Sequence, residues 1–295
     1  SELKPNLILI LGDRYDIFSA ALASSFLKIP IAHIHGGEIT EGAIDDMIRH
    51  CITKLSHFHF TSNYNYRRRV IQLGENPKYV FNVGSLGVEN LKNLDLLNQE
   101  LLEKEIGFKF QKRNIIVTYH PLTLADNPLW GIDELLMSLE KFKNLGIIFT
   151  FPNADLKSTR IIQQISKFDE KNSNSKIFSN LGQKKFFSCL KYCDGIIGNS
   201  SSGIIEAPSL NTWTINIGDR QKGRIKGNSI FDVEINTEKI TEKLLFLLNK
   251  NNLKEVNFSN PYDKKDTAKN ILSILKNVTQ EKIFNKSFFD VNYTL

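Results

Sequence analysis

Short apolar runs alternate with helical patterns along all 295 residues, and this alternation restricts the fold more than any other feature. Residues 7–11 (LILIL) form a continuous apolar run, which is typical of a parallel strand covered on both faces. Repeated strand–helix units build parallel sheets with helices on both sides. The sequence therefore predicts an α/β fold with doubly wound, Rossmann-like sheets.

The strands and helices can be placed from these patterns. The predicted strands cover residues 7–11, 30–34, 57–60, 79–83, 114–119, 147–151, 195–198 and 213–217. The predicted helices lie near residues 16–28, 44–56, 64–73, 94–106, 130–144, 155–169, 203–210 and 237–249. A last helix carries Ile271, Ile274, Leu275 and Val278 on one face.

The length suggests two domains, and the segment GSLGVENLKNLD after the strand at 79–83 is the predicted boundary. We predict a first domain over 1–90, a second over 91–262, and a C-terminal helix over 263–295 that packs back on the first. The two domains are expected to face a cleft, where such proteins bind ligands. The chain opens without Met and its first domain has few strands, so we expect this domain to be incomplete at its start.

Composition excludes several classes of function. The net charge of +6 is modest, and the tight basic cluster at 67–69 is read as a solvated helix face rather than a nucleic-acid site. No apolar run reaches the length of a membrane span. The three cysteines are odd in number, and Cys189 and Cys193 are read as buried helix neighbours. A cytoplasmic protein without a membrane partner is predicted.

Polar residues follow several predicted strands, where open α/β sheets bind ligands. Gly12, Asp13 and Arg14 come directly after the first strand, although Asp13 could instead cap the next helix. His120 and Asn153 follow two later strands. These positions predict a site built from strand ends.

The segment HIHGGE, residues 33–38, follows the second strand. His33 and His35 are two residues apart, so their side chains should point the same way, as in the H-x-H of metal hydrolases. A metal site needs three or more ligands, and His57 and His59 are the available additions. We favour a polar, glycine-shaped active-site loop without a metal.

Asp45 and Asp46 open the helix that follows this loop. One interpretation is ordinary capping, since acidic residues suit the start of a helix and Arg49 and His50 lie four residues on. The other is an acid–base pair, in which adjacent carboxylates raise each other's pKa. The segment alone favours capping.

The segment GNSSSG, residues 198–203, connects a strand to a helix and is the strongest single motif. Backbone N–H groups, serine hydroxyls and a helix start suit a diphosphate. Glu206 could accept hydrogen bonds from ribose. The glycine-rich loop NIGDRQKGRIKGN adds Arg220 and Arg224, which can pair with phosphate oxygens.

The ordered set of motifs resembles the hydrolysing UDP-N-acetylglucosamine 2-epimerases of the sialic-acid branch. The set comprises GDR (12–14), HIHGGE, IDDMIRHCITKLSH, YHP, FPNAD, GNSSSGIIE and GDRQKGR. The resemblance runs from residue 3 to the tail. It implies a glycosyltransferase-B-like fold, elimination of UDP to a 2-acetamidoglucal, and hydration to N-acetylmannosamine, without metal or other cofactor. A UDP-sugar substrate and a homo-oligomer, dimer or tetramer, are expected.

The resemblance also implies roles for individual residues. Its catalytic residues fall on Asp13, Asp45 or Asp46, and His120, with His35 added as a fourth catalytic position. The substrate-binding residues are expected to be Arg14, Glu38, Asn153, Ser200, Ser201, Glu206, Arg220 and Arg224.

Two departures from the family pattern matter. His35 stands where many members carry an acidic residue before the Gly-Gly pair, while Glu38 after the pair is kept. The family's first strands and their phosphate-loop arginine are absent from this sequence. A relative acting on a UDP- or GDP-diacetamido-trideoxyhexose is therefore the first alternative. A glycosyltransferase of the same fold is the second.

Overall fold

A computed structural model describes residues 4–122, 127, 129–153, 157–249, 256–277 and 286–292. Contacts divide the chain into two compact units. Unit 1 comprises Ser1–Thr40, Ile44–Glu89 and Tyr262–Leu295, and unit 2 comprises Glu41–Ala43 and Asn90–Pro261.

Within the described residues both sheets are parallel, with helices between successive strands. The strands are β1 (Ile8–Leu11), β2 (Ile31–Ile34), β3 (Phe58–Thr61), β4 (Val80–Asn82), β5 (Arg113–Thr118), β6 (Leu145–Thr150), β7 (Ser175–Phe178), β8 (Gly195–Gly198), β9 (Trp213–Ile217) and β10 (Ile230–Val233). The helices are α1 (Tyr15–Phe26), α2 (Asp45–Leu55), α3 (Tyr64–Gln72), α4 (Leu86–Asn93), α5 (Gln99–Ile106), α6 (Ile132–Leu139), α7 (Ser158–Asp169), α8 (Gly182–Tyr192), α9 (Ser202–Ile205), α10 (Thr237–Leu248) and α11 (Thr267–Lys276).

Unit 2 has the strand order of a dinucleotide-binding fold. Its sheet runs β10-β9-β8-β5-β6-β7 across the described residues. Numbered from β5, this is the order 3-2-1-4-5-6, read from the β7 edge. The chain direction across the sheet reverses between β5 and β8, and ligands of such sheets bind beyond the carboxyl ends of the strands at this point. His120 and the serine loop follow these two strands.

The core of unit 2 confirms that its central strands are covered on both faces. Ile115 and Val117 belong to one buried cluster, whereas Ile116 between them belongs to another. Successive side chains of a strand point to opposite faces, so each cluster covers one face of the sheet.

Unit 1 has the sheet order β1-β2-β3-β4 in its described part. The expectation that the run at 7–11 is covered on both faces is wrong for the described residues. Ile10 is 6% exposed and packs with Ala21 and Ile52, whereas Leu9 and Leu11 are 49% and 52% exposed. Helices α1 and α2 lie over one face only.

The last helix, α11, packs in unit 1. Ile271 is buried against Ala32 and Phe60, and Ile274 and Leu275 lie partly buried beside it. The apolar stripe therefore contacts β2 and β3. Val278, its fourth member, lies outside the described residues.

All eight predicted strands are confirmed, but β7 and β10 were missed. These two strands lie at the edges of the sheet of unit 2, and most of their side chains are half-buried or exposed. An edge strand does not need a continuous apolar run, so its sequence pattern is weak.

Several helices differ from their predictions. The helix predicted at 94–106 begins at Gln99, because Asn98 caps it by accepting a hydrogen bond from Leu101 N at 2.9 Å. The helix predicted at 203–210 ends at Ile205 and continues as a 3-10 helix with Pro208 in its first turn. Helices α4 and α8 were not predicted as elements, and α4 lies in the segment predicted as the domain boundary.

Membrane and thiol features are simple. In the described part of the chain, none of the helices combines the length and the apolar character of a membrane span. Cys189 and Cys193 are buried and unpaired, and burial raises the pKa of the Cys189 thiol to about 12. These two side chains are packing groups, as predicted.

Gly198 is required where β8 ends beside β5. Its φ is +136°, and a Cβ atom there would overlap the carbonyl oxygen of its register partner Thr118. Gly198→Ala should lower the free energy of unfolding of unit 2 by at least about 3 kcal/mol, since strain and overlap add. Urea unfolding followed by tryptophan fluorescence reports on this unit, because Trp130 and Trp213 both lie in it.

Gly182→Ala is the matched control. Gly182 also has a positive φ, +65°, but a Cβ atom there meets nothing within 4 Å. Gly182→Ala should lower the free energy of unfolding by about 1 kcal/mol, because it adds backbone strain at a positive φ but no steric overlap. Equal costs for the two variants would contradict the close approach of β5 and β8.

Candidate functional site

A buried arginine organises the polar strand ends of unit 1. Arg49 on α2 is 1% exposed. Its guanidinium pairs with the Asp13 carboxylate and with Asp46 Oδ1 at 3.2 Å. It also donates to Thr40 Oγ1 and to the Glu38 carbonyl oxygen, both at 2.8 Å. One side chain thus joins the loop after β1, the loop after β2 and the start of α2.

Asp46 is held as a carboxylate. Burial raises its pKa, but the hydrogen bonds from His50 and from the Thr40 N–H, together with the Arg49 charge, outweigh burial and lower it. The alternative interpretation, in which Asp45 and Asp46 raise each other's pKa, does not hold for Asp46, because the nearby donors and cation dominate. Asp45 lies half-buried in the first turn of α2.

Asp13 does not cap α1. The N-cap position belongs to Arg14, which makes no side-chain capping bond, and the Asp13 carboxylate faces Arg49 instead. Asp13 keeps 26% of its side chain exposed. Arg14 lies 4.0 Å from Asp16 and stacks over Tyr15.

The strand alternation that predicted a common direction for His33 and His35 does not extend to His35, because β2 ends at Ile34. His33 is the third residue of β2, is fully buried, and donates from Nε2 to the Gly12 carbonyl oxygen at 2.8 Å. Burial lowers the pKa of His33 to about 3. His35 lies beyond the end of the strand with φ +69°, so the alternation of a strand no longer applies to it.

His35 contacts a buried carboxylate. Its Nδ1 lies 2.6 Å from Glu38 Oε1, and the same oxygen accepts a hydrogen bond from Ser62 Oγ at 2.7 Å. Glu38 is 3% exposed. The acidic residue kept after the Gly-Gly pair is thus a partner of His35.

The other two histidines of the metal hypothesis serve the fold. His57 Nδ1 accepts from Ile31 N at 3.3 Å, and His59 Nε2 lies 3.0 Å from Glu75 Oε2. Among the described residues, no group of three or more His, Cys, Asp or Glu side chains is arranged to hold a metal ion.

Asn199 links the strand ends of unit 2. This fully buried side chain accepts from the His120 N–H at 2.7 Å and donates to the His120 carbonyl oxygen at 2.9 Å. The main-chain carbonyl oxygen of Asn199 accepts from Arg220 at 3.1 Å and from Gln221 at 2.9 Å. The network joins the loops after β5, β8 and β9.

The His120 ring has a defined tautomer. Its Nδ1 accepts from the Asn153 backbone N–H at 3.2 Å, so the neutral ring carries its proton on Nε2. A neutral His120 is therefore a donor at Nε2. Asn153 itself has an exposed side chain.

The serine loop precedes the short helix α9. Ser200 and Ser201 are half-buried, and Ser200 Oγ accepts from Ser202 N at 3.4 Å. Glu206 is half-buried at the carboxyl end of α9. These residues lie beside the β5–β8 reversal, as the motif predicts.

A cavity of about 600 Å³ lies beside the basic loop of unit 2, and Arg220, Lys222 and Lys226 line it together with Trp130. Lys226 is paired with Asp232 at 2.8 Å. Arg224 is half-buried and does not line this cavity.

The fold and these loops define a class of protein: a two-unit α/β protein with its polar groups at the strand ends. The family model of UDP-N-acetylglucosamine 2-epimerases matches residues 1–276, and the chain belongs to this family.

Named relatives agree with this assignment. The chain is 47% identical over 293 residues to a GDP/UDP-N,N'-diacetylbacillosamine 2-epimerase (hydrolyzing) of Campylobacter jejuni, covering 98% of this chain and 76% of the relative. It is 43% identical over 288 residues to the polysialic acid biosynthesis protein P7 of Escherichia coli, covering 96% and 73%.

A solved structure supports the fold. The UDP-GlcNAc 2-epimerase of Neisseria meningitidis, crystallised with UDP-GlcNAc, superposes with a TM-score of 0.76 at 20% identity, covering 94% of this chain and 78% of that one. The predicted class, a glycosyltransferase-B-like protein built from Rossmann-like α/β units, is confirmed.

Three polar residues of the site were missed. Arg49 was read only as a helix-surface partner of Asp45, whereas it is buried and pairs with Asp13 and Asp46. The sequence feature that could have indicated this role is a lone arginine on the helix that follows the HIHGGE loop. Asn199 and Ser62 gave no signal beyond their place after strands.

Arg49→Met should lower the free energy of unfolding of unit 1 by about 3 kcal/mol, because a buried ion pair loses its cation. The loss in unfolding free energy relative to the wild type should become smaller below pH 3.8, which is the ordinary pKa of Asp46. The native pKa of Asp46 is depressed, so its stabilising contribution is present above the unfolded value and disappears as pH falls. Hydrogen exchange of the β2 and β3 amides measures the effect.

Arg68→Met is the control for this change. Arg68 is exposed on α3, so its loss should cost less than about 0.5 kcal/mol. A deficit for Arg49→Met that is unchanged at acid pH would show that lost packing, rather than the carboxylates, causes it.

Asn199→Ala should lower the free energy of unfolding of unit 2 by about 1–3 kcal/mol, because the His120 backbone groups lose buried partners. Asn144→Ala, at an exposed asparagine of the same unit, should change it little. Tryptophan fluorescence in urea measures both. Equal stabilities would mean that Asn199 does not hold the β5 and β8 ends together.

Proposed function

We propose that this protein is a hydrolysing 2-epimerase of a UDP-linked 2-acetamido sugar. One observation carries the proposal: carboxylates from two chain segments, Asp13 and Asp46, meet on one buried arginine at the strand ends of unit 1. Family membership and the named relatives support it.

The reaction needs only proton transfers and a stabilised leaving group. In the elimination half, the C2–H and C1–O bonds break, the C1–C2 double bond forms, UDP leaves, and a protein base takes the proton. In the hydration half, water forms a bond to C1 and releases a proton, while C2 accepts a proton on its other face. The sum is UDP-sugar plus water giving UDP and the epimeric sugar, with no net oxidation, so no redox cofactor is required.

The groups of unit 1 suit the proton transfers. Asp46 is ionised at neutral pH because its pKa is lowered by the donors around it despite burial. Asp13 shares Arg49 and keeps a quarter of its side chain exposed, so it is the more accessible of the two carboxylates. We assign Asp13 and His35 as proton-transfer groups, with Asp45 and Asp46 beside them. Charged groups positioned before the reaction cost no reorganisation in the transition state.

The groups of unit 2 suit the departing diphosphate. Neutral His120 offers a donor at Nε2, which fits hydrogen bonding to a phosphate oxygen better than proton abstraction from C2. Arg220 is held by Asn199 beside the serine loop. We propose that Asn153, Ser200, Ser201, Glu206, Arg220 and Arg224 bind the nucleotide and that Arg14 contacts the sugar, whereas the buried Glu38 side chain acts through His35.

Two sugars are candidates. The 47% identity to a diacetylbacillosamine 2-epimerase favours a diacetamido-trideoxyhexose. The family description favours UDP-N-acetylglucosamine. We place the diacetamido sugar first and keep a sialic-acid-type pathway, a cytoplasmic location and a homo-oligomer as parts of the proposal.

The decisive experiment is turnover of each UDP-sugar in heavy water, followed by NMR. UDP should be released together with a C2-epimerised sugar that carries one deuterium at C2. The ratio of the two kcat/KM values decides the sugar. UDP release with the original hydrogen kept at C2 would instead indicate simple hydrolysis or a glycosyltransferase.

Asp13→Asn tests the site in the same assay. It should lower kcat at least about 100-fold, the usual worth of a proton-transfer group, while UDP affinity measured by calorimetry changes little. Asp290→Asn, at an exposed carboxylate of unit 1, is the control and should retain turnover. Loss of UDP binding in Asp13→Asn would assign this carboxylate to the nucleotide.

A further inference from the structure

The loop after β2 holds His35 in a backbone conformation that non-glycine residues rarely adopt. Its φ is +69°, and its N–H donates to the Phe60 carbonyl oxygen at 2.8 Å. Gly37 follows with φ +78°, where a Cβ atom would lie 2.5 Å from the Tyr66 carbonyl oxygen. Unusual backbone geometry persists only where its surroundings enforce it, and it is concentrated at functional sites.

The buried Glu38 carboxylate of this loop is held by hydrogen bonds. Burying a carboxylate is costly unless it is hydrogen-bonded, and Glu38 Oε1 accepts from both His35 Nδ1 and Ser62 Oγ. Its main-chain oxygen is fixed by Arg49 at 2.8 Å. The carboxylate therefore has a defined position and orientation toward the imidazole.

This contact determines which nitrogen of His35 can move a proton. A carboxylate only accepts, so Nδ1 of His35 carries a hydrogen and the neutral ring has its lone pair on Nε2. A histidine held in this way by a buried carboxylate is arranged to take up and return a proton at one atom.

We propose that His35 and Glu38 form a proton-transfer dyad, in which His35 Nε2 carries one of the two proton transfers at C2 and Glu38 is its positioning residue. This inference rests on the proposed 2-epimerase function. Inversion at C2 requires that a proton leaves one face and another arrives at the opposite face. Two groups are therefore needed. Asp13 supplies one, and the His35 dyad supplies the other.

The balance of each half is simple. When the dyad acts as base, the C2–H bond breaks, the proton bonds to Nε2, and the electron pair forms the C1–C2 double bond as UDP leaves. When it acts as acid, Nε2–H breaks and C2–H forms as water adds to C1. In both directions the hydrogen on Nδ1 stays on the ring and remains hydrogen-bonded to Glu38, whose negative charge balances the imidazolium.

Other charged neighbours do not titrate with the dyad. Arg49 on α2 and Arg69 on α3 bond the carbonyl oxygens of this loop and stay cationic. His33 on β2 and His59 on β3 are fully buried, and burial lowers the pKa of each, so they are neutral near pH 7. Glu38 is then the charged side chain that contacts the His35 ring.

NMR of the histidine side-chain nitrogens tests the dyad without substrate. The sequence has six histidines, and His35→Gln identifies the signals of His35 by their loss. We expect the Nδ1–H tautomer for neutral His35. Glu38→Gln keeps an oxygen for Nδ1–H but removes the charge, so the titration midpoint of His35 should fall. Glu41→Gln, at an exposed glutamate nearby in sequence, should leave it in place.

Turnover tests the catalytic part. His35→Gln should lower kcat about 100-fold or more and remove one limb of the kcat–pH profile. Glu38→Gln should lower kcat less and move that limb to lower pH by the shift measured by NMR, while KM changes little. A variant that merely loosens the loop would lower the rate without moving the limb.

The outcomes separate the dyad from the proposed function. An Nε2–H tautomer, or a midpoint unmoved in Glu38→Gln, would overturn the dyad whatever the enzyme turns over. A midpoint that moves while the kcat–pH limb stays fixed would overturn the proton-transfer role of His35. Absence of turnover by the wild-type protein on both UDP-sugars would refute the proposed function, and the proton-transfer role with it, while NMR would still decide the pairing.

Discussion

A buried guanidinium must be matched by acceptors, and in unit 1 this requirement governs the arrangement of the polar strand ends. Arg49 is almost fully buried, and its acceptors come from the loop after β1, the loop after β2 and the first turn of α2. Removing a charge from water without partners costs several kcal/mol. The three segments are therefore held together by the same interaction that keeps Asp13 and Asp46 adjacent.

In unit 2 a neutral side chain, that of Asn199, joins the loops at the strand ends, as Arg49 does in unit 1. The Asn199 side-chain amide offers both a donor and an acceptor, so it bonds both backbone groups of His120, while the main-chain carbonyl oxygen of Asn199 accepts from Arg220. The difference fits the proposed division of labour, in which unit 1 moves protons and unit 2 binds an anionic leaving group.

Much of the candidate site was predictable from sequence because strand ends of parallel sheets collect ligand-binding residues. Gly12-Asp13, the HIHGGE loop, His120 and the serine loop all lie just beyond such ends. The contacts among them were not predictable. His35 and Glu38 are close because a positive φ turns the chain, and periodicity cannot reveal this. The pKa of Asp46 depends on donors that come from different segments.

The sequence by itself determined the fold class, the central strands and the set of chemical groups, because apolar runs of strand length allow few other structures. It also carried the family resemblance, since motif order is a property of the chain. Tertiary structure alone decided which groups are paired. It made Arg49 the shared partner of two carboxylates, separated His33 from His35, and gave His35 the Glu38 carboxylate. The physical reason is that burial and hydrogen bonding depend on residues far apart in sequence, and local patterns contain no information on such contacts.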